Sequence, residues 1–406
     1  MHRYRVLVIN DFVQQGGAEV VYRQSAELLR AMPGVEVECF DTSRFEFNSS
    51  LLSKSWNVAA ARALKQTLIT YRPHRILVHN YHNALSASVL NVIARYKREL
   101  GYTAYLTCHD YHLIYYNTTL HYHVDGHIEH LSLDDLGTWQ VLKLRASAKG
   151  AVHDFLSKAY WHAMRAVCKP EKIFDQILCP SDFMQEALHR GGIDNTVVLY
   201  NPSALTVANK PVNVRDRERF NIAFVGRVAH DKGLGEFIEL ARSIDFGRIK
   251  CLGVFGDGPD REAIEQRYAS LVESGKLVFF GRLPQDRLFS ELRRFADATV
   301  LPSVGIEIAP LVIVEAAMLG LPTLVREGNH RLAFGDGVGS KITYRDEPNS
   351  LRGALNDLAA HLARPERHYD VSEFLPHCYA ERLANIMQLG VAPQTIEHAH
   401  TAAGHA

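Results

Sequence analysis

Two glutamates stand eight positions apart in VGIEIAPLVIVEAAMLGLP, residues 304–322, a stretch that is otherwise almost wholly apolar. A carboxylate is costly to bury unless something pairs with it or donates hydrogen bonds to it, so Glu307 and Glu315 each call for a partner. Pro310 suits the first position of a helix, and Gly320-Leu321-Pro322 makes a good stop, which predicts a helix over 310–319. Glu307 then lies in the loop before the helix and Glu315 about a turn and a half inside it, roughly 8 Å along the axis. Ala309 and Pro310 bring the chain to the helix start, where the free amides of Leu311 and Val312 point into the space between the two carboxylates. A ligand with hydroxyls at both ends and a phosphate in the middle satisfies all three features. A capping glutamate plus a structural one is the plainer alternative.

Three further stretches could face the same kind of ligand. In FVGRVAHDKGLGEF, residues 224–237, Arg227 follows a strand, and Lys232 stands just before Gly233 and a new helix. Two cations near a helix start suit a diphosphate, although a solvated loop of surface charges reads the same way. In Gln15-Gly16-Gly17-Ala18-Glu19, Gly16 and Gly17 let backbone amides approach an anion at a helix N-terminus. The pattern is not GxGxxG, which argues against a dinucleotide, and a turn glycine pair explains it equally. In GVFGDGPDREAIEQ, residues 253–266, Gly256, Asp257, Gly258 and Pro259 shape a tight loop that could sit beside a nucleotide base, with Asp260 placed to cap the next helix.

The elements that hold these residues follow one grammar. Short Val/Ile/Leu runs alternate with longer helical patterns, which argues for βα units and parallel sheets. Strands are expected at 4–9, 35–40, 75–79, 103–108, 176–179 and 197–200, and again at 221–225, 250–255, 277–280, 298–301 and 323–325. The polar stretch 203–219 suits a linker. The fold class is therefore α/β, with two doubly wound Rossmann-like domains facing each other across a cleft. The N-terminal domain is placed at 1–205 and the C-terminal one at 206–371. An amphipathic helix within 372–390 is expected to pack back on the N-terminal domain, ahead of a tail at 391–406. Asn10, Asp11, His79, Asn80, His109, Asp110, Ser181, Asp182, Arg227, Asp257 and Ser303 all come just after predicted strands, the rim where open α/β sheets bind ligands.

Composition narrows the classes. The 406 residues carry 45 basic and 45 acidic side chains, which argues against general nucleic-acid binding. Six scattered cysteines form no CxxC pair and no zinc spacing, and read as reduced thiols of a cytoplasmic protein. MHRYRVLVIN runs directly into a strand, so no signal peptide is expected, and no run approaches the ~20 apolar residues of a membrane span.

The ordered set of GGAE after the first strand, HD at 109–110, VGRxxxxKG at 225–233, GDGP at 256–259, and Glu307 and Glu315 followed by GLP resembles a retaining glycosyltransferase of the GT-B fold, family 4 (glycosyltransferase group 1), of the type that builds bacterial surface polysaccharide. The resemblance covers about residues 4–390. It implies that Arg227 and Lys232 neutralise the diphosphate of a nucleotide-sugar donor, that Gly17 and the helix start near Leu311 add backbone amides, and that Glu315 holds the ribose hydroxyls. Glu307 would accept from hydroxyls of the donor sugar, and His109 would sit by the sugar and the attacking group. No cofactor is then required, and there is no Asp-x-Asp pair to carry a metal. The chain departs from many relatives at Ile308-Ala309-Pro310, where they have Gly-Phe-Gly, and fits an Ala-Pro-Leu-Val-Ile form better. A sugar-nucleotide epimerase on the same fold and a non-catalytic GT-B partner subunit are the alternatives.

The acceptor is expected to be a glycan or lipid-linked saccharide. Six histidines fall within 109–130, read as a His- and Tyr-rich loop lining an acceptor groove, or simply as surface. The segment 51–98 holds eight basic residues and no acidic one, with Leu51, Leu52, Trp56, Leu64 and Leu68 among them. With 149–169 it is the expected contact to an anionic membrane, which would place the protein peripherally on the inner face of the plasma membrane.

Overall fold

The computed structural model of the chain describes residues 4–13, 17–46, 50, 55–124, 127–136, 143–147, 149–203, 205, 218–305, 307–328, 338–339, 341–364 and 369–390. The chain divides into two compact units, one made of residues 1–202 with 376–406 and the other of 203–375. Most of the expected linker 203–219 and the whole tail 391–406 lie outside the described residues.

In unit 1, strands β1 (Tyr4–Ile9), β2 (Val35–Phe40), β3 (Arg75–Val78), β4 (Thr103–Thr107), β7 (Gln176–Cys179) and β8 (Thr196–Val198) form a parallel sheet in the order β2-β1-β3-β4-β7-β8. Val6, Leu7, Val8 and Ile9 are all fully buried, as expected of a strand covered on both faces. The helices that cover the sheet start where polar side chains take orphan amides: Asn57 caps Val58–Tyr71 and Ser181 caps Asp182–Arg190. The helix Pro376–Ile386 returns to this unit, with the Tyr379 hydroxyl 2.7 Å from Ser25 Oγ and Leu383 buried in the core beside Tyr22 and Leu29.

In unit 2, β9 (Phe220–Val225), β10 (Ile249–Phe255), β11 (Leu277–Gly281), β12 (Ala298–Leu301), β13 (Thr323–Arg326) and β14 (Lys341–Tyr344) form a second parallel sheet, ordered β11-β10-β9-β12-β13-β14. This is the Rossmann order, and its direction reverses between β9 and β12. The core of this unit gathers Phe220, Ile222, Leu252, Val300 and Leu324 from the strands with Phe237, Leu351 and Leu355 from the helices.

Several expectations are corrected. The helix of the opening stretch is Leu311–Met318, and Pro310 stands outside it at the cap position, with a ψ of 99°. The amphipathic pattern over 372–389 resolves into a single 3₁₀ turn at Ser372–Phe374 and the helix Pro376–Ile386, because Leu375 and Pro376 break the run. The histidine-rich loop is partly an antiparallel hairpin, β5 (His121–Val124) with β6 (His127–His130), and β14 was not expected at all. Leu64 and Leu68 are fully buried under Val58–Tyr71, so they are core residues and no membrane face; Leu51 and Leu52 lie outside the described residues.

Candidate functional site

The reversal of strand order in unit 2 places the ends of β9 and β12 side by side, and two loops leave from there. The first carries Arg227, Asp231 and Lys232; the second carries Ser303 and Glu307. The Val304 amide donates to the Asp231 carbonyl at 3.0 Å, tying the loops together. Gly233, with φ 67°, closes the first loop, and a Cβ there would come within 2.0 Å of the Pro302 carbonyl oxygen, so only glycine fits. The tie sets Lys232 against Glu307. Its ammonium donates to Glu307 Oε1 at 2.6 Å, and the Ser303 hydroxyl donates to the same oxygen at 2.5 Å. Arg227 is exposed and forks onto Asp231 at 3.0 and 3.2 Å. The two cations expected to meet a diphosphate are therefore both engaged by carboxylates.

Beyond Glu307 the chain enters Leu311–Met318 with no side-chain cap. The first amide with a helical partner is that of Ile313, which donates to the Pro310 carbonyl at 3.0 Å; those of Leu311 and Val312 have none among the described residues. Bare amides at a helix start form an anion-accepting end. Glu315 lies on the same helix, and burial pushes its carboxyl up from an ordinary 4.5 to about 7, against a smaller opposing effect of a hydrogen bond with the Gln285 side chain. Ala309 and Pro310 join Glu307 to that helix; Ala309 is half-buried and Pro310 buried.

The GDGP loop has a packing reason for its glycines. A Cβ on Gly256 would lie 1.8 Å from the Gly226 carbonyl oxygen, and one on Gly258 2.2 Å from that of Val228. The Val228 amide donates to the Asp257 carbonyl at 3.0 Å, so this loop buttresses the loop of Arg227. Asp257 itself is exposed, its Oδ1 taking the Gly258 amide. Asp260 stands at the cap position of Arg261–Arg267 but makes no cap with its side chain, which corrects the expectation.

Unit 1 has its own switch point, between β1 and β3. Asp11, after β1, is fully buried and accepts the amides of Asn83, Ala84 and Leu85 at 2.8–3.0 Å, which is structural work. His79, after β3, is buried, and its Nδ1 lies 2.9 Å from Nε2 of His109, which follows β4. The two rings are 17° from coplanar. His79 Nε2 is buried with no partner among the described residues. A buried N–H without an acceptor is the costlier orphan, so the His79 proton is assigned to Nδ1, donated to His109, and the His109 proton to its own Nδ1. Burial lowers His109 to about 4 and His79 well below its usual range, so both rings are neutral near pH 7. Asp110 caps the turn Tyr111–Leu113 through the His112 amide. Gly17 opens the helix Gly17–Arg30, and a Cβ there meets nothing within 4 Å; Gly16 lies outside the described residues. Among the described residues no group of three His, Cys, Asp or Glu is arranged to hold a metal ion.

Residues 208–346 match the family described as Glycosyl transferases group 1. The lipopolysaccharide outer core galactosyltransferase WaaB superposes over 95% of this chain and 99% of its own, with a TM-score of 0.59 and 16% identity. The chain has a GT-B fold, and residues 208–346 are similar to a group 1 glycosyltransferase domain. The Anabaena protein HepE, solved in complex with UDP-glucose, superposes over 94% of this chain and 95% of its own, with a TM-score of 0.55 and 14% identity. Among curated proteins, a 2-deoxystreptamine N-acetyl-D-glucosaminyltransferase of Streptomyces fradiae is 31% identical over 151 residues. That match takes in 36% of this chain and only 35% of the relative's length.

Of the expected site residues, Arg227, Lys232, Glu307, Ala309–Val312 and Glu315 gather at one switch point. Gly256 and Asp257 support it from the neighbouring loop, and His109 and Gly17 belong to the other unit. Sequence reasoning assigned no role to Asp231, Ser303 or His79. Their position after strands was the available signal for Ser303 and His79; Asp231 had none beyond its place between the two cations.

Proposed function

We propose that this protein is a retaining hexosyltransferase that moves a sugar from a nucleoside-diphosphate sugar to a glycan or lipid-linked saccharide acceptor in surface polysaccharide biosynthesis, with no metal. The observation that carries the proposal is the assembly at the β9/β12 switch point: a lysine, a glutamate, an uncapped helix start and a half-buried glutamate with a raised carboxyl, in succession. The HepE complex with UDP-glucose supports a nucleotide-sugar donor for this fold, and the Streptomyces fradiae relative supports a hexose as the group transferred.

In this reading the diphosphate lies on the Leu311 and Val312 amides and draws Lys232 and Arg227 from their carboxylates. The leaving diphosphate gains charge as the glycosidic bond breaks, and fixed cations and amides stabilise that charge without a divalent ion. Glu315 accepts from the ribose hydroxyls. Glu307, released from Lys232, accepts from hydroxyls of the sugar. His109, in unit 1, is a neutral imidazole near pH 7.

The test is a thermal-shift and calorimetric screen of UDP-, GDP- and ADP-sugars with the whole chain. One series should raise the melting temperature, and Lys232→Ala should weaken that ligand about tenfold or more. No shift with any nucleotide sugar, or an affinity unchanged in Lys232→Ala, would remove the donor-site assignment.

A further inference from the structure

The helix Ala151–Cys168 in unit 1 is built inside out. Its charged residues face the protein. Asp154 is buried, pairs with Lys158 at 2.7 Å, and accepts the amides of Ala146 and Ser147 and the Tyr116 hydroxyl. Lys158 donates to the Leu144 carbonyl at 2.6 Å and sits over the Tyr116 ring. Arg165 lies over Trp161, whose indole N–H donates to the His112 carbonyl. Lys158 and Arg165 are therefore inward-facing.

The outward face carries no Asp, Glu, Lys or Arg. Val152 is 74% exposed, Phe155 69%, Leu156 60% and Val167 63%, and alanines, Tyr160 and two histidines complete it. Tyr160 reaches sideways, its hydroxyl donating to the Ser55 carbonyl, and the neighbouring Trp56 and Val58 are exposed too. Scattered exposed apolar residues are ordinary, but an unbroken stripe along about five turns of helix marks a surface that meets something apolar.

Both ends of the stripe are basic. Lys143, Arg145 and Lys149 are exposed just before the helix. At its far end an open cavity of about 610 Å³ is bordered by Cys168, Lys97, Arg98, Lys169 and Lys172, with no acidic residue in its wall. Lys97 is engaged by Asp175, while Arg98, Lys169 and Lys172 have no ion pair among the described residues.

We infer that the outward face of Ala151–Cys168, with the cation-lined cavity at its C-terminal end, is a docking surface for an anionic lipid bilayer: the stripe enters the acyl boundary and Arg98, Lys169 and Lys172 take a phosphate headgroup. The geometry is that of an interfacial helix, apolar along its length with cations at the headgroup level. A second copy of the chain is the poorer occupant. Pairing the stripe with itself, parallel or antiparallel, brings basic end against basic end, which repels. A bilayer supplies the missing negative charge at both ends at once.

The experiment uses the full chain and needs neither donor nor acceptor, so its outcome is independent of the proposed reaction. Co-sedimentation is measured with phosphatidylcholine vesicles and with vesicles in which about a third of the lipid is phosphatidylglycerol. The protein should bind the anionic vesicles, and added salt should weaken binding. Phe155→Glu with Leu156→Glu should lower binding about tenfold or more, and Lys169→Glu with Lys172→Glu should lower it several-fold on anionic vesicles. Both pairs are exposed, so the melting temperature serves as the check on folding. No binding to anionic vesicles, or binding indifferent to Phe155→Glu with Leu156→Glu, would overturn the assignment. So would a dimer in light scattering that this variant dissolves, which would give the face to a second copy.

Discussion

Glu315→Gln isolates the electrostatic cost of the buried carboxyl on Leu311–Met318. The Glu315 carboxyl has an ordinary value of 4.5 and is raised by burial to about 7 in the folded chain. Below 4.5 the group is protonated in both states and costs nothing. As the pH rises from 4.5 to 7 the unfolded chain releases the proton and the folded chain keeps it, so stability falls. Above 7 the loss is complete, about 3 kcal/mol at 1.36 kcal/mol for each tenfold change in the ionisation constant. The amide that Glu315→Gln introduces carries no charge at any pH. The variant should therefore match the parent near pH 4.5 and exceed it above pH 7 by about 3 kcal/mol, or about 6–12 °C in the melting of a unit of this size. Thermal melts at pH 5 and pH 8 read the difference directly. Equal differences at both pH values would refute the reasoning, because a simple repacking effect does not titrate. The same group gives a second readout. Ribose hydroxyls donating to the ionised carboxylate lower its value, so binding of a UDP-sugar, whose diphosphate has no ionisation near this pH, should release protons at pH 6. Calorimetry in phosphate and in Tris measures that release, and Glu315→Gln should abolish it.

Other substitutions separate roles that the structure brings close together. Glu307→Ala frees Lys232 and should leave UDP affinity equal or higher while transfer falls at least about a hundredfold; a large loss of UDP binding would place Glu307 on the nucleotide instead. Gly256→Ala forces its Cβ against the Gly226 carbonyl and should destabilise unit 2 by about 2–3 kcal/mol in denaturant melts, whereas Gly17→Ala, with nothing within 4 Å, should leave stability within about 0.5 kcal/mol. His79→Phe removes the donor to His109 Nε2. Nitrogen–proton correlation spectra of histidine-labelled protein should show His109 protonated at Nδ1 in the parent and as a tautomer mixture in the variant; parent His109 protonated at Nε2 would contradict the assignment.

The double sheet was legible because a buried parallel strand is a nearly continuous apolar run, and YRVLVI, ATVL and NIAFV are such runs. The strand β14, KITY, failed that test: it is polar at one end, and three of its four residues are incompletely buried. The hairpin of β5 and β6 is built of histidines, which carry no strand signature. The carboxyl-end rule located His79, Arg227 and Ser303 without contact information, but it did not separate a ligand-facing residue from a structural one. Asp11 and His109 follow β1 and β4 of the same sheet and look alike in sequence. Three backbone amides end on Asp11, while the hydrogen bond of His109 among the described residues is to another imidazole through Nε2. The GDGP loop carries two readings at once. Its glycines suggest a ligand, and each is already required by a carbonyl of the adjacent loop.

The pairing of Lys232 with Glu307 changes what the two residues imply about recognition. Each was expected to meet a different part of the donor, yet without donor they neutralise one another at 2.6 Å, with Ser303 fixing the carboxylate. A diphosphate that draws the ammonium away takes from the half-buried Glu307 the cation that compensates it at 2.6 Å. Sugar hydroxyls donating to Glu307 restore that compensation. Phosphate and sugar recognition are thereby coupled through one ion pair. The nucleotide sugar should bind this unit more tightly than the bare diphosphate, and Glu307→Ala should erase most of that difference by helping the bare diphosphate. If calorimetry instead finds the same preference for the sugar in the parent and in Glu307→Ala, the ion pair is a surface contact, and sugar selection lies elsewhere.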